Sequence, residues 1–256
     1  MSETFTLRVY RGTTGEQHWE DFEIALHPRM NIISALMAIE KHPKNIKGES
    51  VAPVVWEGGC LEEVCGSCSM LINGQPRQAC TALIRSILEQ TKHNVITLAP
   101  FTKFPLVRDL IVDREPMFEG LKKVHGWIEV DDTYDRASPP LRISQAKQDV
   151  MYSLSTCMTC GCCSEACPQV GKHSKFIGPA AISQARLFNA HPVGKLTQED
   201  RLRPLMEEGG INDCGNSQNC VQVCPKGIPL TDSIAAIGRD VTLQALRDLF
   251  SLPDRD

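Results

Sequence analysis

The chain has 256 residues, 42% of them hydrophobic and 23% charged, an ordinary balance for a folded protein with one large core or two small ones. Its net charge of −4 excludes a broad basic face for nucleic acid. The longest apolar stretches, such as 32–39, are far too short to span a bilayer, and the opening MSETFTLRVYRG has no apolar signal region behind a basic start. The expectation is a cytoplasmic chain that meets a membrane only through a partner.

Residues 5–10 and 21–26 alternate apolar and polar side chains, the period of a half-buried strand. Asn31 is placed to cap a helix whose apolar positions, Ile32, Leu36 and Ile39 among them, recur every three or four residues. Residues 70–72 read as a strand entering a hairpin at Asn73-Gly74, because Asn-Gly accepts the positive φ angles of a type I′ turn. Residues 95–98 close a small mixed sheet gripping one helix. Residues 100–140 read as a connection, with Pro100, Pro105, Pro116, Pro139 and Pro140 and a short helical piece over 117–124. Beyond it the pattern turns helical. Ser144 precedes a run to Ser155, and Gly178-Pro179 opens a helix through Asn189 with proline in a favoured first-turn position. Residues 202–208 form a helix stopped by Gly209-Gly210, and 230–250 a last, longer one. The division is α+β, a β-rich domain over 1–105 and a helical domain over 106–256.

Twelve cysteines are unusual in such a chain. A reducing cytosol disfavours structural disulfides, so clustered thiols there point to metal or redox chemistry. They fall into three groups. The first is Cys60, Cys65, Cys68 and Cys80, whose opening C-x4-C-x2-C resembles the plant-type ferredoxin run that binds a 2Fe–2S cluster. Small neighbours, Gly58, Gly59, Gly66 and Ser67, let backbone N–H groups approach sulfur, and the Asn73-Gly74 hairpin would return Cys80 to the other three. A structural zinc site is the alternative, although zinc usually takes two C-x2-C knuckles.

The other two groups share one spacing. Cys157, Cys160, Cys163 and Cys167 precede Pro168; Cys214, Cys220 and Cys224 precede Pro225, with Ser217 where the first copy has Cys160. Two-cluster bacterial ferredoxins have this C-x2-C-x2-C-x3-C-P run, and the fourth cysteine of each run serves the other cluster. By that likeness Cys157, Cys160, Cys163 and Cys224 make a complete thiolate set for 4Fe–4S, and Cys167, Cys214 and Cys220 make a set of three. A serine hydroxyl is not ionised near neutral pH and is a poor ligand, so 3Fe–4S is the expected occupant. A second 4Fe–4S cluster using the Ser217 oxygen is the alternative. Cys162 lies off the register and reads as a buried thiol packed beside the clusters.

The segments CLEEVCGSCSMLING, CMTCGCCSEACP and CGNSQNCVQVCPKGIPL together resemble the iron–sulfur subunits of succinate dehydrogenase and fumarate reductase, over almost the whole chain. The resemblance implies a β-grasp plant-type ferredoxin-like domain followed by an all-α two-cluster ferredoxin-like domain, with the three ligand sets as above. It implies an electron-transfer subunit of a succinate:quinone or quinol:fumarate oxidoreductase, peripheral on the cytoplasmic side of the inner membrane. One partner would be a flavoprotein carrying FAD and the dicarboxylate site, and the other a membrane anchor carrying haem b. Ubiquinone-reducing members carry a tryptophan-containing stretch after the first run and a histidine after the first 3Fe–4S cysteine; here Pro168 is followed by Gln169-Val-Gly-Lys-His173 and Cys214 by Gly215. NIISALM, SKFIGPA and RLFNAHP look like the menaquinone-linked branch with a dihaem cytochrome b anchor. The alternatives are an iron–sulfur subunit of another flavin-linked oxidoreductase and a zinc-stapled interaction protein. No G-x-G-x-x-G fingerprint, serine–histidine pair or paired-carboxylate signature stands out. His173 and His191 read as loop residues, and Trp127 and Lys172 as packing or solvent-facing side chains.

Overall fold

The computed structural model describes residues 3–129 and 142–250; Pro139 and Pro140 lie outside them. The elements of the first part are β1 (Thr4–Arg11), β2 (His18–Ala25), α1 (Ile32–Lys41), β3 (Ser69–Ile72), β4 (Gln75–Gln78), α2 (Ile84–Thr91), β5 (Val95–Ala99), β6 (Leu106–Arg108) and β7 (Ile111–Val112). They are followed by α3 (Glu115–Lys123), α4 (Gln145–Ser155), α5 (Cys162–Glu165), α6 (Pro179–Ala190), α7 (Gln198–Leu202), α8 (Asn219–Gln222) and α9 (Leu230–Phe250). Among the described residues, one compact unit holds 3–114 together with 158–166, and the other holds 115–129, 142–157 and 167–250. The second cysteine run is thus shared between the two units.

The first unit is built on a five-stranded mixed sheet in the order β2-β1-β5-β3-β4. β1 pairs antiparallel with β2, Leu7 opposite Phe22, and parallel with β5, Leu7 beside Ile96. Alternate residues Phe5, Leu7 and Val9 are buried in one core with Ile32, Leu36 and Ile39 of α1. Each such side chain contributes about 1.5–3 kcal/mol by leaving water, and a one-residue slip would turn all three outward, so the register is held. Asn31 caps α1 as the sequence suggests: its Oδ1 accepts from Ser34 N at 2.8 Å, and its Nδ2 donates to Cys80 O at 2.7 Å. The cap therefore also fixes the backbone of a cysteine.

The β3–β4 hairpin turns at Asn73 (φ 50°) and Gly74 (φ 76°), the two positive φ values of a type I′ turn. Asn73 Oδ1 accepts from Thr97 N at 2.8 Å, joining the turn to β5. Opposite Ser69 stands Gln78, and Ala79 N then donates to Cys68 O at 3.1 Å, so Cys80 returns beside Cys68.

Two features differ from expectation here. α2 is a second helix in the β-rich part; Leu83 at its N-cap makes no side-chain bond, so the usual start signal is missing. The β6–β7 pair interrupts the proline-rich connection. Asp109 at its turn, 1% exposed, accepts from Gly12 N at 2.7 Å and Val55 N at 2.8 Å and faces Arg11 Nη2 at 3.5 Å. Arg11 pairs in turn with Glu20.

In the second unit α6 starts at Pro179 after Gly178 (φ 87°). Its Ile182 and Ala185 pack with Ile237 and Val241 of α9, Leu202 and Leu205, and Cys167 joins this core. The helix expected over 202–208 lies earlier, at Gln198–Leu202, and gives way to a 3₁₀ turn over Arg203–Leu205. Pro204 has no N–H for an α-helical bond and its ring clashes with the preceding turn, which ends the helix before the glycines are reached. Arg201, 1% exposed, donates to the carbonyls of His125, Trp127, Gly194 and Thr197 at 2.7–3.1 Å; backbone oxygens stand in for the water it has lost. Among the described residues no helix is long and apolar enough to cross a membrane.

Replacing Asn31 by alanine removes the cap and the Cys80 anchor together. The expected loss is about 1–2 kcal/mol of stability, read as a lower thermal midpoint for anaerobically purified protein.

Candidate iron–sulfur sites

The first site is a loop whose amides face sulfur. Cys60 Sγ accepts from the backbone N–H of Glu62 (3.3 Å), Val64 (3.2 Å) and Cys65 (3.3 Å). Cys65 Sγ accepts from Cys60 N at 3.4 Å and Ser67 N at 3.5 Å. Aiming so many donors inward requires left-handed backbone at Leu61 (φ 60°), Glu63 (φ 56°) and Gly66 (φ 76°). For the two non-glycine residues that conformation costs about 1–2 kcal/mol each, which the sulfur bonds help to offset. The Ser67 hydroxyl and the Cys60 and Ser67 amides hold Cys65 down to about 6, favouring its thiolate. Cys68 and Cys80 sit on the core side, where burial pushes Cys68 up to about 11. Four sulfur donors from one loop and one hairpin, backed by amides, suit a small iron–sulfur cage, whose negative charge such bonds stabilise.

The second set is divided. Cys160 and Cys163 are buried in the first unit, on and just before α5; Cys157 and Cys224 are half-buried in the second. Glu165 pins the 158–166 segment: its carboxylate accepts from Thr102 N at 2.9 Å, Thr102 Oγ1 at 2.7 Å and Lys103 N at 2.9 Å. Cys162 is fully buried, as expected of a packed thiol. The adjacent Cys160 thiol and its burial keep it protonated, while the same closeness draws Cys160 down to about 7. Cys162 Sγ accepts from Gln78 Nε2 at 3.7 Å. Cys224 Sγ accepts from Ile228 N at 3.4 Å.

The third set lines a small pocket wholly within the second unit. Cys167, Cys214, Ser217 and Cys220 border it, with Phe176 and Ile234 supplying apolar wall and Gln169 and Gly215 alongside. Burial raises the Cys220 thiol, and Cys167 and Cys214 are near enough for their charges to raise it further. Asn216 (φ 51°) and Gln218 (φ 63°) flank Ser217 in left-handed backbone. Three thiols and one hydroxyl around one space fit a cage with an unligated corner. Among the described residues, no three Cys, His, Asp or Glu side chains converge closely enough to grip a single metal ion.

Sequence reasoning passed over Glu165. An acidic residue inside a run otherwise made of small residues and thiols was the available signal, since a charge there has to find partners. His173 lies in a turn and His191 ends α6, neither in the thiol sets, and Trp127 is exposed.

Residues 6–119 match the family model for a 2Fe-2S iron-sulfur cluster binding domain, and 153–228 that for a 4Fe-4S dicluster domain. The succinate dehydrogenase iron-sulfur subunit of Bacillus subtilis (strain 168) is 56% identical over 254 residues, covering 98% of each chain. The fumarate reductase iron-sulfur subunit of Wolinella succinogenes is 30% identical over 245 residues, 93% of this chain and 98% of that one. A chain of the Mycobacterium smegmatis Sdh1 complex in the apo form superposes with a TM-score of 0.80 at 23% identity, covering 100% of both chains, a likeness of fold.

In cluster-free protein Cys65 is expected to be alkylated ahead of the other cysteines. Its rate should fall as pH drops through about 6, because protonation removes the nucleophilic thiolate, while Cys68 stays protected at neutral pH. Peptide mapping by mass spectrometry after short iodoacetamide pulses at stepped pH checks both.

Proposed function

The chain belongs to the iron–sulfur subunits of succinate dehydrogenase and fumarate reductase, and from that premise we propose how its residues divide the work. It is the electron-transfer subunit of an oxidoreductase complex, with a 2Fe-2S domain followed by a 4Fe-4S dicluster domain. The finer reading takes 1–105 as a β-grasp plant-type ferredoxin-like domain and 106–256 as an all-α two-cluster ferredoxin-like domain. Cys60, Cys65, Cys68 and Cys80 hold 2Fe–2S; Cys157, Cys160, Cys163 and Cys224 hold 4Fe–4S; Cys167, Cys214 and Cys220 hold 3Fe–4S. When bound, the clusters supply reversible one-electron redox chemistry.

The chain's own groups do the rest. Amides of the 60–67 loop hold negative charge on sulfur. Glu165 holds the segment bearing Cys160 and Cys163. Phe176 and Ile234 narrow the third cavity and limit water there, which raises the electrostatic effect of every nearby dipole. In this arrangement the chain relays single electrons between a flavoprotein that exchanges two electrons with succinate or fumarate at FAD and a membrane anchor. The anchor is read as a dihaem cytochrome b that serves menaquinone, with this chain peripheral on the cytoplasmic side of the inner membrane. Gln169 and Gly215 beside the third cavity support that branch over one with a ubiquinone site there.

The observation that carries the three-iron assignment is that Cys167, Cys214, Cys220 and Ser217 border one pocket. A hydroxyl stays protonated near neutral pH and does not replace a thiolate, so the fourth iron has no protein anchor. Ser217→Cys supplies one. In anaerobically purified complex the oxidised-state three-iron EPR signal should then fall and iron per protein rise; a signal persisting at full strength would refute the assignment.

A further inference from the structure

Arg114 follows β7 and reaches into the first cysteine loop. Nη1 donates to Gly66 O at 2.6 Å and Nη2 to Ser67 O at 3.0 Å, while Nη2 also meets Glu57 Oε2 at 2.7 Å. The two carbonyls lie between Cys65 and Cys68. The Arg114 side chain is 15% exposed and that of Glu57 43%, so the cation is the inner member of the pair. Gly66 backs directly onto the second cysteine run: a Cβ there would stand 2.9 Å from Cys160 Cα and from Met158 O. The same carbonyl accepts from Ser69 Oγ at 2.6 Å, and Ser69 Oγ accepts from Gln78 Nε2 at 2.7 Å. Gln78 bonds Cys68 Sγ at 3.5 Å through Oε1 and Cys162 Sγ at 3.7 Å through Nε2. A continuous polar chain thus runs from Arg114 past the first loop to the second run.

We propose that Arg114 is a positioning residue for the electron step between the first and second thiol sets: it fixes the Gly66–Ser67 turn against the Cys160 segment and sets a permanent positive charge beside both. The proposal rests on the ligand assignment above. A guanidinium never loses its proton in a protein. A fixed cation at low exposure favours the extra negative charge of a reduced cluster and so raises its potential. Its planar fork also spans two successive carbonyls, which an ammonium holds less well.

The test uses the complete complex, purified anaerobically, with midpoint potentials read by EPR-monitored redox titration alongside iron and sulfide content. Arg114→Gln removes the charge and should weaken one-electron reduction of both sites about tenfold, a shift of 59 mV to lower potential. Arg114→Lys keeps the charge and should stay near wild type in potential. Arg8→Gln, an equal charge change at an exposed arginine of β1 paired with Asp21, should move neither site. Iron-replete Arg114→Gln with unmoved potentials, or an equal shift from Arg8→Gln, overturns the proposal. Should Arg114→Gln lose its iron, Arg114→Lys decides: retained potentials support the charge role, and a fall with the charge still present refutes it. Wild-type protein without iron would instead sink the ligand assignment itself.

Discussion

A thiolate removed from water needs hydrogen-bond donors, and in this chain the backbone supplies them. Cys60 alone takes three amide N–H groups. An extended strand or a helix spends its amides on its own ladder, so Cys60 and Cys65 sit on a loop that turns left-handed and aims N–H groups inward. That requirement accounts for the positive φ values at Leu61, Glu63 and Gly66. The regular elements serve to hold such unfavourable loops still.

The two units do this by different means. In the first, the hairpin brings Cys80 back to Cys68, Asn31 ties Cys80 to α1, and Asp109 ties the β6–β7 turn to the end of β1. In the second, α6 and α9 form the frame, and Arg201 gathers four backbone carbonyls where the chain leaves α3 and where it approaches α7. Both arginine-centred arrangements bury charge, which is costly unless nearly every donor finds an acceptor. Arg11 meets Glu20, Asp109 and the Pro53 carbonyl; Arg201 relies on neutral oxygens alone among the hydrogen bonds it makes with these segments.

Much of this was legible in the residues. Asn73-Gly74 specified its turn type, Asn31 its cap, and Gly178-Pro179 the start of α6, because each signal acts through local backbone geometry. The family was legible in the three thiol groups. What escaped were features decided by distant partners. α2 starts without a capping side chain, and the strands of β6–β7 are too short to show a period. The helix near 202 ends early because Pro204 breaks it before the Gly209-Gly210 stop is reached. Glu165 and Arg114 have roles only because residues 102–103 and 66–67 come to them in the fold.

The segment 158–166 belongs to the first unit although more than forty residues of the other unit's sequence precede it. During synthesis the sheet can therefore form early, but its cysteine-bearing surface is completed only after residue 166 has left the ribosome. Until then Gly66 has nothing to rest against. The packing of the 60–68 loop against Cys160 is thus set late in the order of the chain, after all four cysteines of that loop and its hairpin have been made.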